Sequence, residues 1–423
     1  MTAKIWAAAA AIGATAAAAQ AQEVTLALSH WVPPVHMLHT NGMTQWAESI
    51  AAASNGRIAV EIFPAQQLGS APDHYDMARD GIVDIGFVNP GYQAGRFPII
   101  AAAELPFMVS NATTASRALH EWYMQYAQQE MGDVHVCLVH LHDPGTFHGT
   151  SGPMGSPTNY VGKNVRPPQG TIARLIGMMG GSPVQVPVPE MRAILSSGGA
   201  DVTSGPWNSL LLFNVADIVT HHLDMPLYSV AFVYAINLTT YNGLSAENRA
   251  VIDAHCTPEW SQQIATPWAE QESGSRATIE AMPGHVMHVP TEAEMAEWRA
   301  LSDTLRAEWA VNAAAAGVAD PQAALADLVA RLAAVGGGAE SAGGECQCAA
   351  LSSDPGGGGG VIWAGSAADA VQVALPGRAV CGAGDGDVDR AAEPGDIEPA
   401  DSGAVPEPEP GGAGVHGFDL AGV

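Results

Sequence analysis

Ile58, Val60 and Ile62 alternate with polar or small neighbours in RIAVEIF, which predicts a strand with one buried face. EVTLALSH at 23–30 predicts a strand before it, and VDIGFV at 83–88 a strand buried on both faces. Between these runs the period lengthens. Met43, Trp46, Ala47 and Ile50 fall at helical spacing and Asn55-Gly56 ends that helix, while DHYDMARDG predicts a second helix stopped by Gly81. A β-α-β-α-β order predicts a largely parallel sheet with helices on both faces. Residues 112–130 then read as helix and Val134–Leu141 as strand.

HDPGTFHG at 142–149 reads as a crossing to a second lobe, whose pattern from Tyr160 to Ser209 is strand, helix, strand, helix, strand, loop. Arg166 ends the first of these strands and Trp207 follows the last. YSVAFVYAIN at 228–237 reads as a strand returning to the first lobe. A long helical stretch begins at Ser245, which is placed as its N-cap. Thr291 and Glu294 have capping-box spacing before another helix, and PQAALADLVARLAAV predicts a last one. The fold expected is α/β and two-lobed, with a hinge and long C-terminal helices. Lobe 1 takes 22–145 plus about 229–270, and lobe 2 takes 146–228 plus about 271–335. Gly81-x-x-Asp84 and Gly198-x-x-Asp201 form a weak echo between the lobes.

Composition trims both ends of this 423-residue chain. Residues 1–21 have a lysine, an alanine-rich apolar run and Ala19-Gln20-Ala21, the pattern of a cleaved secretory signal. That run is too short and too alanine-rich for a membrane span, and no other stretch is long and apolar enough. Residues 336–423 hold 22 of the 47 glycines and 14 acidic residues against two arginines, which predicts a disordered tail. A natural linker and a frame-shifted segment both fit that composition. The net charge is −27, and residues 22–335 contribute 13 basic against 29 acidic residues, with Lys163 the only lysine. Such a surface argues against nucleic acid and anionic membranes as partners. It does not exclude an anionic solute held by a local cation. Cys137 and Cys256 are the only cysteines between 22 and 335, an even pair compatible with a disulfide or with two buried thiols.

Catalytic and cofactor motifs are absent: the sequence has no HExxH, GxSxG, P-loop, or GxGxxG at a strand–helix turn. His140, His142, His221 and His222 are close in sequence, yet spacing alone does not make a metal site. No cofactor or metal is expected. The loop NPGYQAGRFP follows a strand, where open α/β sheets bind ligands, so Asn89 and Tyr92 are candidates for contact or for turn chemistry. An arginine at a strand end presents a fixed fork suited to a carboxylate, and Arg166 occupies such a position, although a structural ion pair is the plainer alternative.

VRPP at 165–168, MMGGSPVQVP at 178–187 and GGAD at 198–201 resemble the second lobe of the DctP-like solute-binding proteins of TRAP transporters. EIFPAQQLG at 61–69 and MARDGIVDIGFV at 77–88 resemble the first. The likeness covers roughly 24–335. It implies an organic acid held between the lobes by Arg166, a membrane permease as partner, and a periplasmic location. It also implies Trp207, Phe147, His148, Trp31 and His36 as further binding residues, with core packing the alternative for the two aromatics Trp207 and Phe147. The chain departs from the family pattern in three places. Phe147 and His148 stand where many members carry a second arginine, Gly205 where an asparagine is common, and Pro206 where metal-bridging members have an acid. These changes favour one carboxylate on a less polar body. Two rival classes remain at this point: an enzyme using His148 or His142 as base, and a sensor or chaperone-like module on the same fold.

Overall fold

The computed structural model describes residues 22–339. The proposed signal and residues 340–423 lie outside the described residues. Eleven strands run in chain order as β1 (Val24–Ser29), β2 (Ile58–Phe63), β3 (Ile85–Val88), β4 (Val134–Leu141), β5 (Thr146–Gly149), β6 (Asn164–Arg166), β7 (Ser182–Pro183), β8 (Val202–Gly205), β9 (His221–Leu223), β10 (Ala231–Asn237) and β11 (Val286–His288). They form two sheets, β2-β1-β3-β10-β4 and β11-β9-β5-β8-β6-β7, one in each lobe.

β1, β2 and β3 pair in parallel as their helix-separated order requires. β10 runs antiparallel to both β3 and β4, so the sheet is mixed rather than largely parallel. The reason is its route: β10 arrives from the other lobe instead of through a local crossover helix. All seven of its residues are buried, as are the four of β3, because helices cover both faces.

The echo between lobes has a physical basis. Gly81 and Gly198 both adopt positive φ beyond a helix end. Asp84 Oδ2 then accepts from the Ala27 N–H of β1 at 2.8 Å, and Asp201 Oδ2 from the Asn164 N–H of β6 at 2.8 Å.

Ser245 caps Ala246–Asp253 as expected, but the stretch behind it breaks into three helices, with Pro258–Glu272 and Ser275–Glu280 following. Thr291 and Glu294 form the capping box of Glu292–Ala315. That helix straddles the lobes: Trp298 Nε1 donates to Gly155 O at 2.7 Å and Ser302 Oγ to Pro106 O at 3.3 Å. The last helix, Pro321–Ala334, packs on Ala112–Tyr123 of the first lobe, with Trp122 Nε1 donating to Ala324 O at 2.9 Å. It therefore departs from the assignment of 271–335 to the second lobe. Residues 336–339 also differ from the expected tail, because Ser110 N donates to Gly337 O at 2.8 Å and Ala339 N to Met108 O at 3.2 Å. Cys137 on β4 and Cys256 are joined by a disulfide. No helix among the described residues is long and apolar enough to cross a membrane.

Candidate functional site

Arg166 closes β6, in register with Thr203 of β8. Its Nε donates to Val186 O at 3.0 Å and its Nη1 to Ser204 O at 3.2 Å, so two backbone carbonyls aim the fork. The residue is 2% exposed, and no acidic side chain is among the residues lining the cavity beside it. A buried cation held only by neutral dipoles leaves a large part of its desolvation cost uncompensated, and an anion beside it would offset that cost.

The walls are mainly aromatic and come from both lobes. Trp31, His36, Asn89 and Tyr92 follow the carboxyl ends of β1 and β3, and Phe232 is the second residue of β10. Trp268 projects from Pro258–Glu272, Tyr228 lies in the crossing before β10, and Phe213 follows the short helix Trp207–Leu212. Trp31 packs against Phe87, Tyr92 and Phe232 with ring centroids 5.4, 5.9 and 6.1 Å away. Such tilted aromatic contacts make a rigid slot.

The lobes touch around this cavity. The Val188 N–H of lobe 2 donates to Tyr92 Oη at 3.1 Å. Asn89 Oδ1 accepts from the Gly91 N–H at 3.0 Å and caps the turn that carries Tyr92. Gly91 itself meets Gln169, at the start of helix Gly170–Met178: a Cβ at 91 would fall 2.1 Å from Gln169 Cβ. Glycine is what lets the two lobes come this close.

Burial holds the histidines neutral. His36 is pushed down to about 3, chiefly by burial with smaller effects of His140 and His39. His142 is pushed down to about 4, where burial outweighs its backbone hydrogen bonds. Burial also raises the Tyr92 and Tyr228 hydroxyls despite the opposing pull of Arg166. At neutral pH Arg166 supplies the one formal charge among the lining residues.

The family model for bacterial extracellular solute-binding protein family 7, DctP, matches residues 28–312. The chain belongs to this family. DctP relatives of similar fold include a TRAP solute-binding protein from Rhodoferax ferrireducens in complex with copurified benzoate. It is 29% identical, with a TM-score of 0.69, over 74% of this chain and 98% of its own. A marine metagenome TRAP protein specific for aromatic acid ligands, in complex with 3-hydroxybenzoate, is 30% identical with a TM-score of 0.69, over 74% and 99%. The outer membrane transporter protein TsaT of Comamonas testosteroni is 25% identical over 73% of this chain and 92% of its own. This chain is accordingly a solute-binding protein of the TRAP type.

Not every residue expected at the DctP cleft reaches it. Arg166, Asn89, Tyr92, Trp31 and His36 line one cavity, and Phe147, His148 and Trp207 do not. Phe147 points to the far side of β5, where it packs on Tyr160 and Trp298 at 5.0 and 6.2 Å. His148 is buried with both nitrogens engaged, to His222 Nδ1 at 2.8 Å and Gly205 O at 3.1 Å, so it has no nitrogen left for a base role. Trp207 begins a helix and lies edge-on to His148 at 4.8 Å, behind the cavity wall. Tyr228, Phe232, Phe213 and Trp268 are among the lining residues that sequence reasoning missed, and His142, considered there only as a base, lines the cavity too. The aromatic content of YSVAFVYAIN was the available signal for the first two.

Proposed function

We propose that this protein captures a small monocarboxylate with an aromatic body outside the cytoplasm and passes it unchanged to a TRAP permease. The observation that carries this reading is Arg166: a buried guanidinium with no acidic partner at an aromatic-walled cavity between two lobes. The guanidinium accepts a carboxylate bidentately, with charge-assisted bonds contributing about 1.5–3 kcal/mol each. The rings of Trp31, Phe232 and Trp268 supply flat apolar surface for the remainder. Absence of any acidic lining residue disfavours amino acids and cationic amines, whose ammonium would find no counter-ion. Two similar relatives bound to benzoate and 3-hydroxybenzoate support the same solute class. Capture without chemistry fits the neutral, low-pKa state of His142 and the blocked nitrogens of His148. Heat extraction of protein purified from its secreted form, followed by mass spectrometry, should release an aromatic carboxylate in near-stoichiometric amount. Recovery of a sugar, an amino acid or a turnover product would overturn the reading.

A further inference from the structure

Three side chains of the cavity have hydrogen-bonding roles fixed by chemistry and by their surroundings. Trp268 stands between His36 and His142, with ring centroids 4.8 and 5.5 Å from it. All three line the cavity and are at most 5% exposed. The cluster adjoins the aromatic wall, with Phe232 5.6 Å from Trp268 and Tyr228 6.0 Å from His142.

The backbone sets both tautomers. The Leu38 N–H donates to His36 Nδ1 at 3.1 Å, so this nitrogen is a lone pair and the neutral ring carries its proton on Nε2. His142 is reversed. Its Nδ1 lies against Asp143 O, a carbonyl that can only accept, so Nδ1 carries the proton and Nε2 is the lone pair. Trp268 Nε1–H is a buried donor without a partner, and neither histidine Nε2 has a protein partner among the described residues. These three side chains therefore offer two donors and one acceptor, with the unpartnered Tyr228 hydroxyl beside His142. A hydroxyl has the complementary set, one proton to give and two lone pairs to receive.

We propose that His36, Trp268 and His142 form a hydroxyl-recognising subsite, so that the preferred solutes are aromatic carboxylates bearing a ring hydroxyl. This inference rests on the carboxylate reading of Arg166. A site built to hydrogen-bond a hydroxyl discriminates strongly against analogues that leave its buried polar groups unpaired.

The test is calorimetric titration of the full chain with benzoate, the three hydroxybenzoates and the three methoxybenzoates, alongside Arg166→Ala, Trp268→Phe and His142→Phe. At least one hydroxybenzoate should bind tenfold or more tightly than benzoate, about 1.4 kcal/mol. Its methyl ether, which accepts but cannot donate to His142, should lose that gain. Both aromatic substitutions should move the hydroxybenzoate-to-benzoate affinity ratio toward one. If a variant fails to fold, the ligand series on the unaltered protein decides alone. Equal affinity across the series, still dependent on Arg166, would overturn the subsite and leave the carboxylate reading standing; an ordered water satisfying the same three atoms would give that result. No binding by any member would overturn both.

Discussion

Arg166 was legible because its position is local: a strand end followed by two prolines that stop the chain from continuing the sheet. Phe147 and His148 were misplaced for the opposite reason. Adjacent strand residues face opposite sides, and four residues of β5 give no pattern that says which side is which. Asn89 could be read either as turn former or as ligand contact, and it is a capping residue that also lines the cavity. Gly91 carries a prediction at this scale. Its replacement by alanine places a Cβ 2.1 Å from Gln169 Cβ, which only separation of the lobes relieves. Gly91→Ala should therefore weaken solute binding at least tenfold and abolish ligand-induced compaction in small-angle scattering. Its melting temperature without ligand should change by no more than a few degrees. Wild-type affinity in this variant would refute a closing role for the contact.

At the scale of elements, the three parallel strands and the capping box were legible, since each is encoded within a dozen residues. The antiparallel placement of β10 was not, because strand direction there depends on a connection through the other lobe. Trp268 was hidden for a similar reason: it lies 36 positions after Phe232, the lining residue nearest to it in sequence, and it reaches the cavity only through helix packing.

 The chain end gives the prediction at this scale. Gly337, Gly338 and Ala339 pair with residues 108–110 through three hydrogen bonds of 2.8, 3.1 and 3.2 Å. At about 1 kcal/mol each, they should stabilise the body measurably. A chain ending at Val335 should melt a few degrees below one ending at Ala339 in a fluorescence-monitored thermal scan. Identical midpoints would show that this pairing adds no stability.

For the whole molecule, the buried titratable groups set a pH optimum. His30, His36 and His140 are held down to about 3, His120, His142 and His148 to about 4, and His222 to about 2, in each case mainly by burial. Below the unfolded value of about 6.5 the unfolded chain takes up protons that the folded one refuses, so stability falls as pH drops. Glu104 and Glu272 work in the other direction. Burial lifts both to about 8, so between about 4.5 and 8 the folded chain holds protons the unfolded one has lost, and stability falls as pH rises. Seven histidines outweigh two carboxylates on the acid side. Melting temperature should peak near pH 6.5–7, drop steeply toward pH 5 and decline gently toward pH 8. A flat profile from pH 5 to 7 would contradict the buried neutral histidines.

Capture of a carboxylate by Arg166 is the central claim, and calorimetry on paired proteins tests it most directly. Benzoate and the tightest hydroxybenzoate should be titrated into the unaltered chain, Arg166→Ala and Arg166→Lys at one pH and salt concentration. Loss of the fork should weaken binding by two or more decades on the scale of about 1.4 kcal/mol per decade. Lysine should recover only part of the loss, because a point charge cannot reproduce the bidentate geometry. Affinity in Arg166→Ala within threefold of the unaltered protein would contradict the assignment of Arg166 as the anchor.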